Sequence, residues 1–359
     1  MRTIPAPTRS ACWWPAFVLA VTLAGCAEGP LTGRSGPYRP PLLEPPFGRV
    51  LHGWGQLSSW WNQDDPAAVN DLTDLDTYIS AVMPNQPALI SFYLAPLENQ
   101  VSAFLPKYAA FVKERPFFIA QIGLYFLDQP LQGQVASGEA DAQLRRLFEG
   151  LKAAGRPVLL RIGHEFNQHE APYDPKLYVQ AFRRVATLAR EVAPGLIATV
   201  WHAEPAGFAD RDYHDWDPGD EYVDWWGLSL FFTEHMTATR TMDFLNDAAI
   251  RRKPALIAEC SPWFHGDTAA PVRGPESLEE ARSWYDALFK LTAAHPQIKG
   301  LSIIVVDWSR WNLKFSQIPG GLPDVRFDRW ASLKEYYART IADPRFIHSQ
   351  EARRLYTAP

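Results

Sequence analysis

Several things are scarce in this sequence, and each scarcity narrows its function. Cysteine occurs three times in 359 residues, too seldom for a disulfide-built scaffold, so core packing must stabilise the fold. Positive charge is not in excess. The 35 Lys and Arg stand against 40 Asp and Glu, a net charge of −5, and this removes the basic footprint that nucleic-acid binding needs. The strongest apolar run, 11–22, is too short to cross a bilayer. No Gly-rich phosphate loop follows the first candidate strand, which argues against a doubly wound nucleotide-binding sheet. Gly227-Leu228-Ser229 lacks the second glycine of a serine-hydrolase elbow. His164-Glu165 followed by His169 misses the zinc-protease helix, because the second histidine belongs at i+4, where Gln168 stands. We expect neither metal nor cofactor. His202 and Glu204 have metal-binding side chains, but His202 is read as lining a cleft.

What is present is a globular composition, 47% hydrophobic and 21% charged, with 14 Trp and 13 Tyr. Aromatics mostly fill cores, but so many also suggest a cleft that stacks on flat ligands. From about residue 48 onward, short apolar runs alternate with helical stretches. The runs are 49–53, 88–93, 117–125, 158–162, 196–201, 223–231, 254–258 and 301–306. Several lack polar alternation, as strands buried on both faces do. Between them, Leu144, Leu147, Phe148 and Leu151 share one helical face, stopped by Gly155 and Pro157. Tyr178, Phe182, Val185, Ala189 and Val192 mark the next face, closed by Pro194-Gly195. Eight strands alternating with helices predict a single (β/α)8 barrel over 48–359, with no repeats and no second domain.

A barrel carries its chemistry at the C-terminal ends of its strands. Those ends supply His52 with Trp54, Tyr93, Tyr125, His164 with Glu165, Trp201 with His202, Phe231 with Phe232, Glu259, and Asp307 with Trp308. Glu165 and Glu259 stand out, since each ends a strongly apolar run. Two carboxylates across a barrel mouth suit glycosidic cleavage: one protonates the leaving oxygen, the other attacks the anomeric carbon or activates water. Arg161 shares the barrel-facing side with Glu165 and is expected to pair with it. Cys260 is expected in the packing.

The run Arg161-Ile162-Gly163-His164-Glu165-Phe166-Asn167 resembles the fourth-strand motif of glycoside hydrolase family 26, which holds β-mannanases and some β-glucanases and xylanases. Residues 218–224 leading into Trp226-Gly227-Leu228 are similar to that family's sixth strand. Residues 253–259 are similar to its seventh, and Trp308 matches the tryptophan after its eighth. Asp343-Pro344-Arg345-Phe346 resembles its usual ending. The resemblance spans about residues 49–346 in family order. It implies a retaining double displacement on a β-linked polysaccharide of β-mannan or β-glucan type. Glu165 would be the acid/base and Glu259 the nucleophile. Esterification of Glu259 would remove its charge, so that Glu165 can then give up its proton and serve as base. His164 would bond the sugar in the −1 subsite and Trp308 would form its floor. Asn167, Trp201, His202, Trp54, Tyr93, Tyr125 and Phe231 are the further expected substrate contacts.

The sequence departs from the family in two places. Phe231-Phe232 stands where the family has a tyrosine that bonds the nucleophile, so Tyr93 or Tyr125 must supply any such hydroxyl. No tryptophan follows the acid/base motif in 168–173. These departures admit a catalytically weak or inactive carbohydrate-binding surface lipoprotein. A further alternative, which only the substrate would distinguish, is an enzyme trimming the cell's own exopolysaccharide.

Residues 1–25 read as a secretion signal, with Arg2 and Arg9 ahead of the apolar run. Leu23-Ala24-Gly25-Cys26 resembles the bacterial lipobox, which implies lipid on Cys26 and an exported protein anchored to the envelope, at the outer membrane or cell surface. With Cys12 in the signal, only Cys260 would remain free. Residues 26–47, rich in Pro and Gly, read as a tether. The expected partners are a polysaccharide or oligosaccharide and, through the lipid, a membrane. A monomer without nucleic acid is expected.

Overall fold

A computed structural model describes residues 41–58, 71–126, 129–168, 173–206, 211–310 and 321–357. The expected signal, Cys26 and most of the tether lie outside the described residues, as do 169–172 beyond the acid/base motif.

Eight parallel strands close into a barrel: β1 Val50–Leu57, β2 Leu89–Leu94, β3 Ile119–Leu124, β4 Val158–Ile162, β5 Ile197–Ala203, β6 Trp225–Phe232, β7 Ala255–His265 and β8 Ile298–Ile304. Each pairs with the next, and β8 pairs with both β7 and β1, which closes the sheet and leaves no edge within the barrel. The eight expected runs all fall on these strands. The largest difference is in β7, which continues past 258 and forms a short antiparallel ladder with Val272–Arg273.

Two apolar layers follow from the alternation of side chains along each strand. Leu51, Leu89, Ile119, Leu159, Ala198, Val200, Trp225, Leu256 and Ala258 fill the barrel's interior. The alternate residues, such as Ile90, Leu160, Trp226 and Ile257, meet the surrounding helices. Both expected helical faces are buried there. Leu144, Leu147, Phe148 and Leu151 lie on α1, Asp141–Ala154, which ends at Gly155 in the left-handed conformation, φ 69°. Tyr178, Phe182, Val185 and Ala189 lie on α2, Pro175–Val192, whose N-cap Asp174 accepts from the Leu177 N–H at 2.9 Å.

Residues 41–47, expected as the end of the tether, pack on the barrel's floor. Leu43 joins the interior cluster, the Trp225 Nε1–H donates to the Leu42 carbonyl at 2.8 Å, and Lys299 donates to the Pro46 carbonyl at 3.0 Å. Among the described residues, this packing therefore begins ahead of the expected boundary at 48.

Candidate active site

The fourth strand delivers two charged groups to the barrel mouth by different means. Along β4, Leu159 faces the interior, so Arg161 does too, and it is fully buried. The strand then turns upward. Gly163 (φ 56°) and Glu165 (φ 53°) both adopt the left-handed region, where only glycine is at ease. A Cβ on Gly163 would lie 2.7 Å from the Tyr178 ring, so glycine is required there for space as well. The strained Glu165 is held by its N–H, which donates to the His202 carbonyl at 2.7 Å.

Glu259 reaches the same space through a bulge. Ala258 faces the interior, and strict alternation would turn Glu259 outward to the helices. Between Leu228 and Ser229 the register on β7 advances from Ile257 to Glu259, so β7 carries one extra residue there. It carries one extra against β8 as well, between Ile257 and Cys260. The bulge re-aims Glu259 into the mouth.

There Arg161 NH1 forms an ion pair with Glu259 Oε1, and the Tyr93 hydroxyl donates to the same oxygen at 3.0 Å. Arg161, expected to pair with Glu165, instead serves Glu259, because the barrel's curvature brings the end of β7 over the guanidinium. The guanidinium also lies 4.7 Å from the Tyr93 ring centroid. Gly123 leaves room for both, since a Cβ there would sit 2.9 Å from each.

A hydrogen-bonded chain connects this pair to Glu165. Arg161 NH1 donates to His202 Nδ1 at 3.3 Å, which fixes the proton of a neutral ring on Nε2. His202 Nε2–H then donates to Ser229 Oγ at 2.9 Å, and Ser229 donates to Glu165 Oε1. Burial and the Arg161 charge push the proton affinity of His202 well below that of an ordinary histidine, consistent with a neutral ring. His164 is depressed by the same two causes. Glu165 is raised well above the carboxylate range, first by burial, then by the charges of Glu259 and Glu204; Ser229 and Arg161 oppose this. Tyr93 is also raised, chiefly by burial, so it stays a donor.

The other expected contacts divide. His164 is half-buried beside the carboxylates, stacked on His202 with centroids 6.1 Å apart and edge-on to Tyr93 and Tyr125. Trp308 meets Trp263 edge-on at 5.8 Å, and Trp263 stacks on Phe231 at 4.2 Å. Phe231 thus supports this aromatic wall and is no open platform.

Four expected contacts stand elsewhere. Trp54 and Trp201 are buried on the outer face of the barrel: Trp54 packs near Tyr78, and Trp201 lies between Phe166 and Trp226. Each stands one step out of phase with the inward residues of its strand. Asn167 is fully buried and touches backbone, not cleft: its side chain accepts from the Glu204 N–H at 2.8 Å and donates to the Glu204 carbonyl at 3.0 Å. His202, likewise fully buried, links other groups and lines no open surface.

Sequence reasoning gave no role to Ser229 or Gln168 and weighed Glu204 only as a metal ligand. Ser229 was reachable, since it follows Trp225 and Gly227 on the inward alternation of β6. Gln168 donates to Oε2 of Glu165 and, at 3.1 Å, to Oε2 of Glu204. Among the described residues, no three His, Cys, Asp or Glu side chains gather as a metal site. Cys260 is buried and unpaired, as expected.

No family model matches the chain. It is 28% identical over 232 residues to a beta-1,3-xylanase from Vibrio sp. and, over the same length, 28% identical to one from Alcaligenes sp.. Each match covers 60% of this chain and 50% of the relative, so the chain spans about half the length of the curated relatives it matches. Among solved structures it is similar to a GH26 beta-mannanase from Bacteroides ovatus, with TM-score 0.55 and 12% identity over 87% of this chain and 93% of that one. It is similar as well to GH26C from Muricauda sp., with TM-score 0.54 and 12% identity over 87% and 90%. The (β/α)8 fold is therefore shared with these structures.

Proposed function

We propose that this protein is a retaining glycoside hydrolase that cleaves a β-linked polysaccharide by double displacement. The observation that carries the reading is the unequal treatment of two carboxyls at one barrel mouth. Glu259 is ion-paired to Arg161, whereas Glu165 lies half-buried beside two other carboxylates and favours its protonated form.

In the first step Glu259 attacks the anomeric carbon while Glu165 gives its proton to the departing glycosidic oxygen. Arg161 and Tyr93 both bind Oε1 of Glu259, which leaves Oε2 as the attacking atom. The resulting ester carries no charge on Glu259. One of the two charges that raise Glu165 is then gone, so Glu165 can act as base and take a proton from the incoming water. Water attack releases the sugar with its configuration retained. His164 borders the −1 position and Trp308 offers an apolar face to the pyranose ring. The hydroxyl missing at Phe231 no longer argues for a protein without turnover, since Tyr93 donates to the same carboxyl from another strand.

The substrates to test are β-1,3-xylan, because the curated relatives are named for it, and β-mannan, mixed-linkage β-glucan and β-1,4-xylan. Proton NMR during hydrolysis should detect the β-anomer of the new reducing end first. Appearance of the α-anomer first, or neither cleavage nor binding of any glycan, would overturn the reading.

We also propose export and lipid attachment at Cys26, supported by the charged start, the apolar run and Leu23-Ala24-Gly25-Cys26. Cys26→Ala should move the protein from the membrane fraction to the soluble one. An unchanged distribution would sink this proposal.

A further inference from the structure

The mouth of the barrel holds a third carboxylate that the double displacement does not use. Glu204 stands one residue past β5 and is only 7% exposed. Asn167 clamps its backbone on both sides, as described above. Its carboxylate shares one donor with the general acid, the Gln168 side-chain amide. Gln168 is itself anchored: its N–H donates to the Glu165 carbonyl at 3.0 Å, and its carbonyl accepts from Arg211 at 3.2 Å. An amide NH2 has two hydrogens, so two carboxyl oxygens use its full capacity and hold both acids at a fixed spacing.

We propose that Glu204 is a positioning residue for Glu165. Through the shared Gln168 amide it fixes the direction of the Glu165 carboxyl, and through its negative charge it keeps the proton on Glu165 until a leaving group takes it. The inference rests on the reading of Glu165 as the general acid. The titratable and charged groups facing the pair are Arg161 and His164 from the β4 end, His202 from β5, Glu259 from β7, Tyr93 from β2, and Tyr173 and Arg211 from flanking segments. His164 and His202 are held neutral, and Arg161 is engaged by Glu259. The charge of Glu204 adds to that of Glu259 in raising Glu165, against the pull of Ser229 and Arg161. Burial, and next the charge of Glu259, raise Glu204 itself to about 7 against the pull of Gln168.

The test is a pH titration of 13C-labelled glutamate carboxyls by NMR, on the full chain without substrate. In Glu204→Gln the Glu165 midpoint should fall by about one pH unit, because a neighbouring negative charge is gone. In Gln168→Met it should rise, because a donor to the ionised form is lost. The basic limb of the kcat/KM profile should move the same way in each variant. A Glu165 midpoint unmoved by Glu204→Gln in a folded protein overturns the proposal, as does movement in the same direction by both substitutions. Should Glu204→Gln fail to fold, Gln168→Met decides alone: a rise supports the proposal, and no rise overturns it. If the wild-type protein cleaves no glycan, the functional reading fails while the titration still decides this inference.

Discussion

The Tyr93 hydroxyl on β2 donates to Oε1 of Glu259 on β7 at 3.0 Å, so two strands that are not neighbours in the sheet meet across the barrel mouth. Arg161 from β4 binds the same oxygen. Tyr93 thus gives Glu259 the donor that position 231, a phenylalanine, lacks. A preorganised donor of this kind should hold the carboxyl through attack and ester breakdown. Tyr93→Phe should therefore lower kcat by about 10²-fold with little change in melting temperature. An undiminished kcat would show that the contact has no part in turnover.

Removing Arg161 should cost stability as well as activity. It is fully buried, and its partner Glu259 is nearly so. Arg161→Met would strand a carboxyl without its partner, at about 3–5 kcal/mol. The double variant Arg161→Met with Glu259→Gln should recover much of that stability and none of the activity. Chemical unfolding of both variants measures the stability, and glycan hydrolysis measures the activity. Equal losses in the single and double variants would refute the coupling.

Asn167 acts on the site without touching substrate. Asn167→Ala leaves the buried Glu204 N–H unsatisfied, a cost of about 1–3 kcal/mol. Because the loop beyond β5 loosens, kcat should fall while KM stays near its wild-type value. A rise in KM alone would point to direct sugar binding instead.

The raised carboxyls set a pH dependence of stability. Glu204 binds its proton more tightly in the fold, near 7, than the ordinary value of 4.5. Its contribution is therefore fully present below about 4.5 and is lost as pH rises through about 7. Glu165 acts in the same direction. Wild-type melting temperature should fall between pH 5 and pH 8, and Glu204→Gln should flatten that fall. A slope unaltered by the substitution would exclude Glu204 as its source.

Leaving groups separate the two proposed roles. Glu165→Ala should hydrolyse aryl glycosides with good leaving groups far better than it hydrolyses polysaccharide, since activated substrates need no proton. Glu259→Ala should fail on both while still binding glycan, as calorimetry can measure. Equal activity of Glu165→Ala on both substrate types would remove it as the acid.

Read alone, the sequence determined the eight apolar runs, the buried faces of α1 and α2, and two glutamates at strand ends. Each of these is written in local order: spacing of apolar residues, a glycine or proline at a helix end, a charge closing an apolar run. It did not determine which way a strand end faces. β1 and β5 are buried on both faces, and His52, Gln56 and Thr199 share the outward faces with Trp54 and Trp201, so the polar pattern does not mark those faces as outward. It did not determine the extra residue at Ala258, which turns Glu259 inward, because a bulge depends on the register of two neighbouring strands. It also pointed to the wrong partner for Arg161, Glu165 in place of Glu259. The motif puts Arg161 next to Glu165 in sequence, but closure of the barrel puts it against Glu259. Contacts across a barrel are set by strand tilt and stagger, quantities of the whole sheet, and only the tertiary structure decides them.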